Sequence, residues 1–203
     1  MSAIPEHVAR LSELMSTFAP PWALGGGWAV DAWLGHQTRD HEDIDIIVFQ
    51  EDQRVLFDHL AGWTMIAHGP HVAGDTDERW DGRRLELPAH IHIPAKFAFD
   101  RGRVFSEDGF TLEAILNERS GGDWVLSREV MISRPLNRCV RQSAWGLPTV
   151  VPEVALFFKA QDLRRRDRAD FLALLPRLTG EQRDWLRDAI SRAGHPWLAQ
   201  LAT

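Results

Sequence analysis

The clearest structural signals of this chain lie in the segment Gly25-Gly-Gly-Trp-Ala-Val-Asp-Ala-Trp-Leu-Gly35, followed shortly by Thr38-Arg-Asp-His-Glu-Asp-Ile-Asp45. The three glycines predict a turn, and residues 28–34 predict a helix with a glycine just past its end. A glycine turn lets backbone N–H groups approach an anion, and the N-terminus of the following helix adds a favourable dipole. The segment therefore predicts a place where a phosphate group could bind.

Two aspartates at the end of this segment indicate metal-ion chemistry. Residues 43–49 alternate in character and predict a strand, so Asp43 and Asp45 should lie on one face of it. Such a pair, joined by a third carboxylate, can hold two divalent ions about 3.5–4 Å apart. An isolated glycine turn is usually only a turn, and an isolated Asp-x-Asp is usually a solvated strand face. Here both occur together, and unpaired carboxylates would be costly in an otherwise apolar strand, which favours a joint functional site.

This run of residues resembles the polymerase-β-like nucleotidyltransferase superfamily, whose signature is a Gly-Gly or Gly-Ser turn followed by Asp-x-Asp or Asp-x-Glu. It is more closely similar to the small aminoglycoside and lincosamide nucleotidyltransferases, which carry Gly-Gly-Trp-Ala-x-Asp, Thr-Arg-x-His and Asp-Ile-Asp. The similarity is close over residues 25–48 and looser elsewhere, chiefly between residues 152 and 171. It implies an α+β fold with a mixed α/β sheet, the nucleotidyltransferase fold, followed by a C-terminal helical region.

The resemblance also implies an enzyme that transfers a nucleoside monophosphate to a hydroxyl group with the help of two Mg²⁺ ions. AMP from ATP is the first choice of donor, and another NTP is the alternative. An aminoglycoside-like antibiotic, small, hydroxyl-bearing and cationic, is the first choice of acceptor. Two alternatives remain open: a toxin-like nucleotidyltransferase that modifies a protein or tRNA, and a catalytically inactive nucleotide-binding protein.

Five residues of the segment are candidates for nucleotide binding. The resemblance implies that Gly26 and Gly27 cradle phosphate. It also implies that Arg39 and His41 either order the turn or touch phosphate. Trp28 stands where many superfamily members have Ser, which removes a hydroxyl contact but agrees with the antibiotic-modifying branch. Its indole ring is expected to serve packing more than chemistry.

The superfamily draws its third carboxylate from a later strand. Asp43, Asp45 and that residue would be both the catalytic carboxylates and the metal ligands. Glu113 is the first choice because it interrupts the β-like run Thr111-Leu-Glu-Ala-Ile-Leu116. Glu86 is the alternative, and either residue could instead be an outward-facing strand carboxylate.

Two residues of the C-terminal part complete the candidate site. In related antibiotic nucleotidyltransferases a Glu and a Lys from this part face the nucleotide cleft. By that resemblance Glu153 is a candidate catalytic base for the acceptor hydroxyl, and Lys159 is a candidate phosphate ligand. Glu153 is also well explained as a favourable charge in the first turn of a helix. Lys159 follows two phenylalanines on a mostly apolar helix, where it would extend to solvent or point into a polar cleft.

Periodicity outlines the rest of the chain. Helices are predicted over residues 4–18, 51–61, 152 to about 175, and from a capping box at 179–182 to Gly194. Strands are predicted over residues 63–67, 89–93, 96–99, 111–116, 124–126 and 128–132, with a long polar loop over 68–83. A change in composition near residues 135–150 divides the chain into a core domain (1–134) and a C-terminal helical region (135–203).

Composition narrows the class of protein. The 203 residues carry 23 Lys and Arg against 29 Asp and Glu, a net charge of −6, which argues against a nucleic-acid partner. Cys139 is the only cysteine, which excludes an internal disulfide and a cysteine-based zinc site. We find neither a signal-peptide core nor an apolar run of about 20 residues, so we expect a cytoplasmic protein without a membrane span. The oligomeric state stays open.

Three further groups of residues carry weaker signals. Four histidines form two pairs that could suggest metal: His68/His71 and His90/His92. Without softer ligands nearby, we interpret them as surface or loop histidines. Acidic residues surround Trp80 and could form a rim for a cationic sugar, or simply a mobile polar loop: Asp75, Asp77, Glu78 and Asp81. The basic run over residues 159–170 is interpreted as a solvated helix face with Asp–Arg pairs.

Overall fold

The computed structural model describes residues 3–69, 78–93, 111–161 and 164–201. Within these ranges the helices are α1 (Glu6–Leu14), α2 (Gly26–Leu34), α3 (Gln53–His59), α4 (Leu136–Cys139), α5 (Pro152–Lys159), α6 (Arg165–Leu174) and α7 (Gly180–Ala193). The strands are β1 (Trp22–Leu24), β2 (Asp43–Phe49), β3 (Ile66–His68), β4 (Glu78–Arg79), β5 (Ala89–Ile93), β6 (Thr111–Ser120), β7 (Asp123–Ser127), β8 (Ile132–Pro135), β9 (Val140–Gln142) and β10 (Pro148–Val150). None of the helices in these ranges is long and apolar enough to cross a membrane.

The strands form one mixed sheet with β2 and β6 near its centre. Hydrogen-bonded neighbours follow the order β4-β3-β5-β6-β2-β1-β10-β9, and β7 and β8 continue from the end of β6. The pairs β2–β6 and β1–β10 are parallel, whereas the other pairs are antiparallel. The parallel pairing brings the starts of β2 and β6 to the same edge of the sheet, although they are far apart in sequence.

Alternation along β2 separates the two faces of the sheet. Three aliphatic residues are fully buried in a core that α1 and α3 cover: Ile44, Ile46 and Val48. Asp43 and Asp45 lie on the opposite face, where the later residues of the strand pack in a second core with α5, α6 and α7. Burying an aliphatic side chain contributes about 1.5–3 kcal/mol. Because a one-residue slip would exchange the two faces, this burial specifies the side to which the aspartates point.

Indole N–H groups anchor α2 over the sheet. Trp28 Nε1 donates to the carbonyl oxygen of Asp43 at 2.9 Å. Trp33 Nε1 donates to the carbonyl oxygen of Val150 at 2.7 Å. The helix ends at Leu34 and is capped by Gly35, which adopts the left-handed conformation with φ +78. These bonds tie the helix to both β2 and β10, so that its N-terminus lies at the edge where β2 begins.

The helix predicted over residues 152 to about 175 is wrong in one respect. The chain forms two helices, α5 and α6, and Arg164 between them is extended, with φ −61 and ψ 142. Periodicity continues across the break, so the sequence pattern did not indicate it. The break brings α6 back against the end of α5 and thereby shapes the cavity described below.

Strands β9 and β10 have no counterpart among the predicted elements. Each has three residues, too few to show alternation, and β10 depends on its parallel pairing with β1. The chain after residue 134 therefore also contributes to the sheet, and the division at residues 134/135 stays a prediction. The strand predicted over residues 128–132 is largely a turn before β8, in which Met131 has φ +52. The strand predicted over 96–99 lies outside the described residues.

Candidate active site

The glycine turn lies directly against the carboxylates of β2. The Gly25 N–H donates to the Asp45 carbonyl oxygen at 2.9 Å, which joins the turn to the strand. Gly26 begins α2 with φ +57, and a Cβ there would overlap the Asp45 carboxylate. A Cβ at Gly27 would stand 2.5 Å from His41 Cε1. Because glycine has no Cβ, the N-terminus of α2 can approach these side chains more closely than it could with any other residue at these positions.

Three carboxylates meet beside this turn. The parallel pairing of β2 and β6 sets Asp45 directly opposite Glu113. One carboxylate oxygen from each of Asp43, Asp45 and Glu113 lies within 4.8 Å of the others. Glu86, the alternative third carboxylate, instead accepts a hydrogen bond from Gln50 Nε2 at 3.1 Å, beyond the opposite end of β2. The structure thus brings Glu113, and not Glu86, to the two aspartates.

Burial and mutual repulsion act on this carboxylate cluster. Burial, together with the charges of Asp43 and Glu113, raises the pKa of Asp45 to about 7. Burial also opposes ionisation of Glu113, but the hydrogen bond and charge of His92, together with the charges of His90 and His68, outweigh it and lower the pKa of Glu113. A cation among the three carboxylates would relieve their repulsion. Because Mg²⁺ is bound through carboxylate oxygens and retained waters, these residues fit that ion.

Buried ion pairs form a second wall of the site. Arg39 donates through Nε and Nη2 to the two oxygens of Asp170, each at 3.1 Å. Lys159 Nζ lies 2.7 Å from Asp170 Oδ2 and 3.1 Å from Asp167 Oδ1. Although burial opposes ionisation, the contacts with Arg39 and Lys159 lower the pKa of Asp170. The network holds two cationic side chains in fixed positions.

A cavity of about 530 Å³ joins these groups. The residues that line it include the glycine turn (residues 25–27), the three carboxylates, and four cationic side chains: Arg39, Lys159, Arg164 and Arg166. Two exposed carboxylates, Asp40 and Glu42, line it as well. Apolar side chains complete the lining, among them Ile115 and Phe158. The volume lies within the range of about 300–1,000 Å³ that is typical of small-molecule sites.

His41 and Trp28 support the turn from behind. His41 Nε2 lies 2.6 Å from Asp31 Oδ2, and the Thr38 hydroxyl donates to the other oxygen of this carboxylate at 2.5 Å. The Trp28 ring centroid is 4.2 Å from that of His41. Neither ring is among the described residues that line the cavity. Of the predicted nucleotide-binding residues, the cavity brings together Gly26, Gly27, Arg39 and Lys159.

Comparison with known proteins shows the family of the chain. The family described as aminoglycoside-2''-adenylyltransferase matches residues 7–174, which is most of the chain. The chain belongs to the aminoglycoside-2''-adenylyltransferase family. No curated protein matches the sequence significantly. Family membership confirms the predictions that the chain is an enzyme and that its class is nucleotidyltransferase, of the adenylyltransferase type.

Solved structures of antibiotic-modifying enzymes share the fold. The lincomycin-bound lincosamide antibiotic adenylyltransferase LnuA matches with a TM-score of 0.56 and 18% identity, over 86% of this chain and 98% of LnuA. The antibiotic-resistance factor ANT(2'')-Ia in solution matches with a TM-score of 0.55 and 17% identity, over 93% and 91% of the two chains. ANT(2'')-Ia in complex with adenylyl-2''-tobramycin matches with a TM-score of 0.55 and 15% identity, over 91% and 94%. These matches confirm the predicted mixed α/β nucleotidyltransferase fold.

Glu153 does not reach the cavity of this family member. Its Oε1 accepts a hydrogen bond from Arg134 Nη1 at 2.8 Å, and its Oε2 accepts one from Gln182 Nε2 at 2.8 Å. The residue is 2% exposed and is absent from the described cavity lining. Both oxygens are therefore engaged in joining α5 to β8 and α7. This placement does not support the predicted role as catalytic base, and it assigns Glu153 to the packing of the C-terminal helices.

The substitution Glu153→Gln tests this reassignment. We expect the free energy of unfolding to fall by about 3 kcal/mol, because removing one partner of a buried ion pair leaves the other charge uncompensated. The turnover of the folded adenylyltransferase should change little, whereas loss of a catalytic base would cost about 10²–10⁴-fold. Chemical denaturation and steady-state kinetics measure the two effects. Glu181→Gln, at an exposed position in the first turn of α7, is the matched control and should lower the free energy of unfolding by less than about 1 kcal/mol while leaving turnover unchanged.

The solvated-face interpretation of the basic run is wrong for its buried carboxylates. Asp167 and Asp170 are 1% and 2% exposed and contact Lys159. These contacts form because α6 packs back against the end of α5, so a local sequence pattern does not predict them. Asp31, which contacts His41, is not among the predicted site residues, although it ends the segment Gly26-Gly-Trp-Ala-Val-Asp31 on which the family resemblance rests.

The raised pKa of Asp45 predicts an unusual dependence of stability on pH and metal. The Asp45 carboxylate binds a proton more tightly in the folded state than in the unfolded state. Its contribution to the free energy of unfolding is therefore present below about pH 4 and is lost as the pH rises through about 7. In EDTA at pH 8, Asp45→Asn should therefore raise the free energy of unfolding by at least about 1 kcal/mol, since one pKa unit corresponds to about 1.4 kcal/mol. Thermal denaturation should show the gain vanish near pH 4, and Mg²⁺ should stabilise only the wild type.

Proposed function

We propose that the chain transfers AMP from ATP to a hydroxyl group of an aminoglycoside-like antibiotic, with Mg²⁺ held by Asp43, Asp45 and Glu113. The observation that carries the proposal is the meeting of these three carboxylates with the N-terminal glycine turn of α2 in one cavity. Phosphate transfer needs metal ligands and phosphate-binding groups at close range, and this cavity offers both.

The residues around the cavity would have separate roles in binding the metal and the phosphates. Asp43, Asp45 and Glu113 hold Mg²⁺, which when bound lowers the pKa of the attacking hydroxyl and neutralises charge on the phosphates. Gly26 and Gly27 present backbone N–H groups and the positive end of the α2 dipole to the phosphates.

Lys159 contributes a cation close to the same phosphates. Its ammonium group has three protons and contacts the carboxylates of Asp167 and Asp170, which leaves donor capacity toward the cavity. The bidentate pair of Arg39 with Asp170 holds these side chains in position before the substrate binds. Substrate binding therefore does not require them to reorganise, which would cost free energy. These residues orient the donor and balance the charge of the leaving pyrophosphate.

Carboxylates at the cavity support a cationic acceptor. Asp40 and Glu42 are exposed and line the cavity, in addition to the three proposed metal ligands. Such groups would attract the ammonium groups of an amino sugar. The family match supports an aminoglycoside, and the structural matches include one enzyme with lincomycin and one with adenylylated tobramycin. An aminoglycoside is therefore the first acceptor to test and a lincosamide is the second.

Release of pyrophosphate tests the proposed reaction. The purified protein is incubated with Mg²⁺ and ATP, GTP, CTP or UTP, each with tobramycin, with lincomycin and without acceptor. We expect release with ATP and tobramycin, and none when Mg²⁺ is replaced by EDTA. Release that depends on lincomycin alone would move the acceptor to the lincosamides. No release with any acceptor, together with ATP binding that Asp45→Ala leaves unchanged, would instead indicate an inactive nucleotide-binding protein.

A further inference from the structure

Three histidines from two neighbouring strands meet on the face of the sheet that carries the carboxylates. β3 pairs with β5 in antiparallel register, with His68 opposite His90 and Ile66 opposite His92. His90 and His92 are two residues apart and point to the same face, whereas Ile91 between them is fully buried on the other face. The register therefore places the three imidazole rings side by side. The partner that the sequence suggested for His68, at position 71, lies outside the described residues.

The three rings are close enough to share a ligand. Their centroids are 5.0 Å (His68–His90), 4.4 Å (His68–His92) and 4.8 Å (His90–His92) apart. One ring nitrogen of each lies within 4.8 Å of the others. Imidazole nitrogens bound to a metal ion at about 2.1 Å stand about 3.3 Å from one another, a separation within reach of rotation about the side-chain bonds. The side chains of His90 and His92 are 39% and 32% exposed, so solvent reaches the cluster.

Glu113 lies between the histidines and the aspartates. Its Oε1 is 3.4 Å from His92 Nε2 and 3.9 Å from His90 Nε2. Metal-binding histidines are commonly oriented by a neighbouring carboxylate, which fixes the ring and raises its basicity as a ligand. The cluster thus has the ligand type, the number of ligands and the adjoining carboxylate that a transition-metal site requires.

We propose that His68, His90 and His92 bind one divalent transition-metal ion, with Zn²⁺ as the reference. Imidazole suits Zn²⁺, Ni²⁺ and Cu²⁺, whereas Mg²⁺ is bound through oxygen ligands. The site is therefore chemically distinct from the carboxylate site of Asp43 and Asp45, which it adjoins through Glu113. It rests on the geometry of β3 and β5 and does not depend on the identity of the nucleotide or the acceptor.

Zn²⁺ binding to protein freed of transition metals tests the proposal. Isothermal titration calorimetry is carried out with excess Mg²⁺ present to occupy the carboxylate site. We expect one Zn²⁺ per chain in the wild type and at least about tenfold weaker binding in His68→Gln and in His90→Gln, since even loss of an outer-shell partner costs about 10–100-fold. His36→Gln is the matched control, because His36 is exposed and its ring contacts the carbonyl oxygen of Leu34. It should bind Zn²⁺ like the wild type.

Further variants separate loss of the Zn²⁺ site from misfolding and from loss of nucleotidyl transfer. Circular dichroism in EDTA verifies the fold of each variant, and His90→Gln, at a side chain that is 39% exposed, serves if His68→Gln does not fold. Asp43→Asn should abolish nucleotidyl transfer but leave the Zn²⁺ affinity unchanged, so failure of the proposed reaction does not affect this test. Packing of neutral rings on one another, without a metal role, is the competing explanation. Absence of Zn²⁺ binding in the wild type, unchanged affinity in both histidine variants, or loss of the site in Asp43→Asn would each overturn the proposal.

Discussion

Asp45→Asn is expected to lower the rate of nucleotidyl transfer by about 10³-fold or more. The substitution keeps the shape of the side chain beside Gly26 but removes a negative charge from the ligand set shared with Asp43 and Glu113. Metal ions contribute several kcal/mol to transition-state stabilisation, and each 1.36 kcal/mol corresponds to about a factor of ten in rate. Pyrophosphate release at saturating ATP and acceptor measures the effect, and Asp43→Asn should behave in the same way.

A control separates this loss from a general effect of removing an aspartate. Asp58 lies on α3, where it forms an exposed pair with Arg54, and its side chain is 57% exposed. Asp58→Asn should keep wild-type activity, because surface ion pairs contribute only about 0–1 kcal/mol to stability. Asp45→Asn that folds normally and retains activity close to the wild type would exclude the proposed metal-ligand role.

Gly26→Ala is expected to lower the same rate by about 10²-fold or more. The new methyl group would occupy the space of the Asp45 carboxylate, and φ +57 disfavours any residue with a Cβ. Either the carboxylate or the N-terminus of α2 must move, and a displacement of about 1 Å at a reacting centre can cost about 10²-fold. Steady-state kinetics with ATP as the varied substrate measure the loss.

Gly121→Ala is the matched control for this substitution. Gly121 lies in the turn between β6 and β7 with φ +60, and a Cβ there would meet nothing within 4 Å. Both variants therefore carry the same backbone strain, but only Gly26→Ala disturbs the carboxylates. Equal kinetic losses in the two variants would show that strain alone, and not the position of Asp45, accounts for the effect.

The central part of the site could be predicted because its signals are local. The glycine turn, α2 and the two aspartates of β2 lie within one continuous segment, and alternation along β2 assigns the aspartates to one face. Glu113 could be nominated as well, since a charged residue interrupts an apolar strand pattern. That it lies opposite Asp45 depends on the parallel pairing of β2 with β6, a long-range contact that no local pattern encodes.

The parts that the sequence did not predict all depend on such long-range contacts. Glu153 was predicted to face the nucleotide, but the packing of α5 against α7 turns it toward Arg134. Asp170 was interpreted as solvated, but the break between α5 and α6 buries it against Lys159. The histidines of β5 were interpreted as ordinary surface residues, and only the pairing with β3 brings His68 to them. Tertiary contacts, more than the identity of the residues, determine the surroundings of each of these side chains.

Mass spectrometry of the acceptor tests the proposed adenylyl transfer and the role of Asp45 together. Tobramycin is incubated with ATP, Mg²⁺ and either the wild-type protein or folded Asp45→Asn, and the mass of the antibiotic is then measured. We expect the wild type to add the mass of one adenylyl group in a Mg²⁺-dependent manner, and Asp45→Asn to leave the antibiotic unmodified. An unmodified antibiotic with the wild type, for tobramycin and other aminoglycosides and for lincomycin, would contradict the proposed function. An adduct formed equally well by Asp45→Asn would contradict the site.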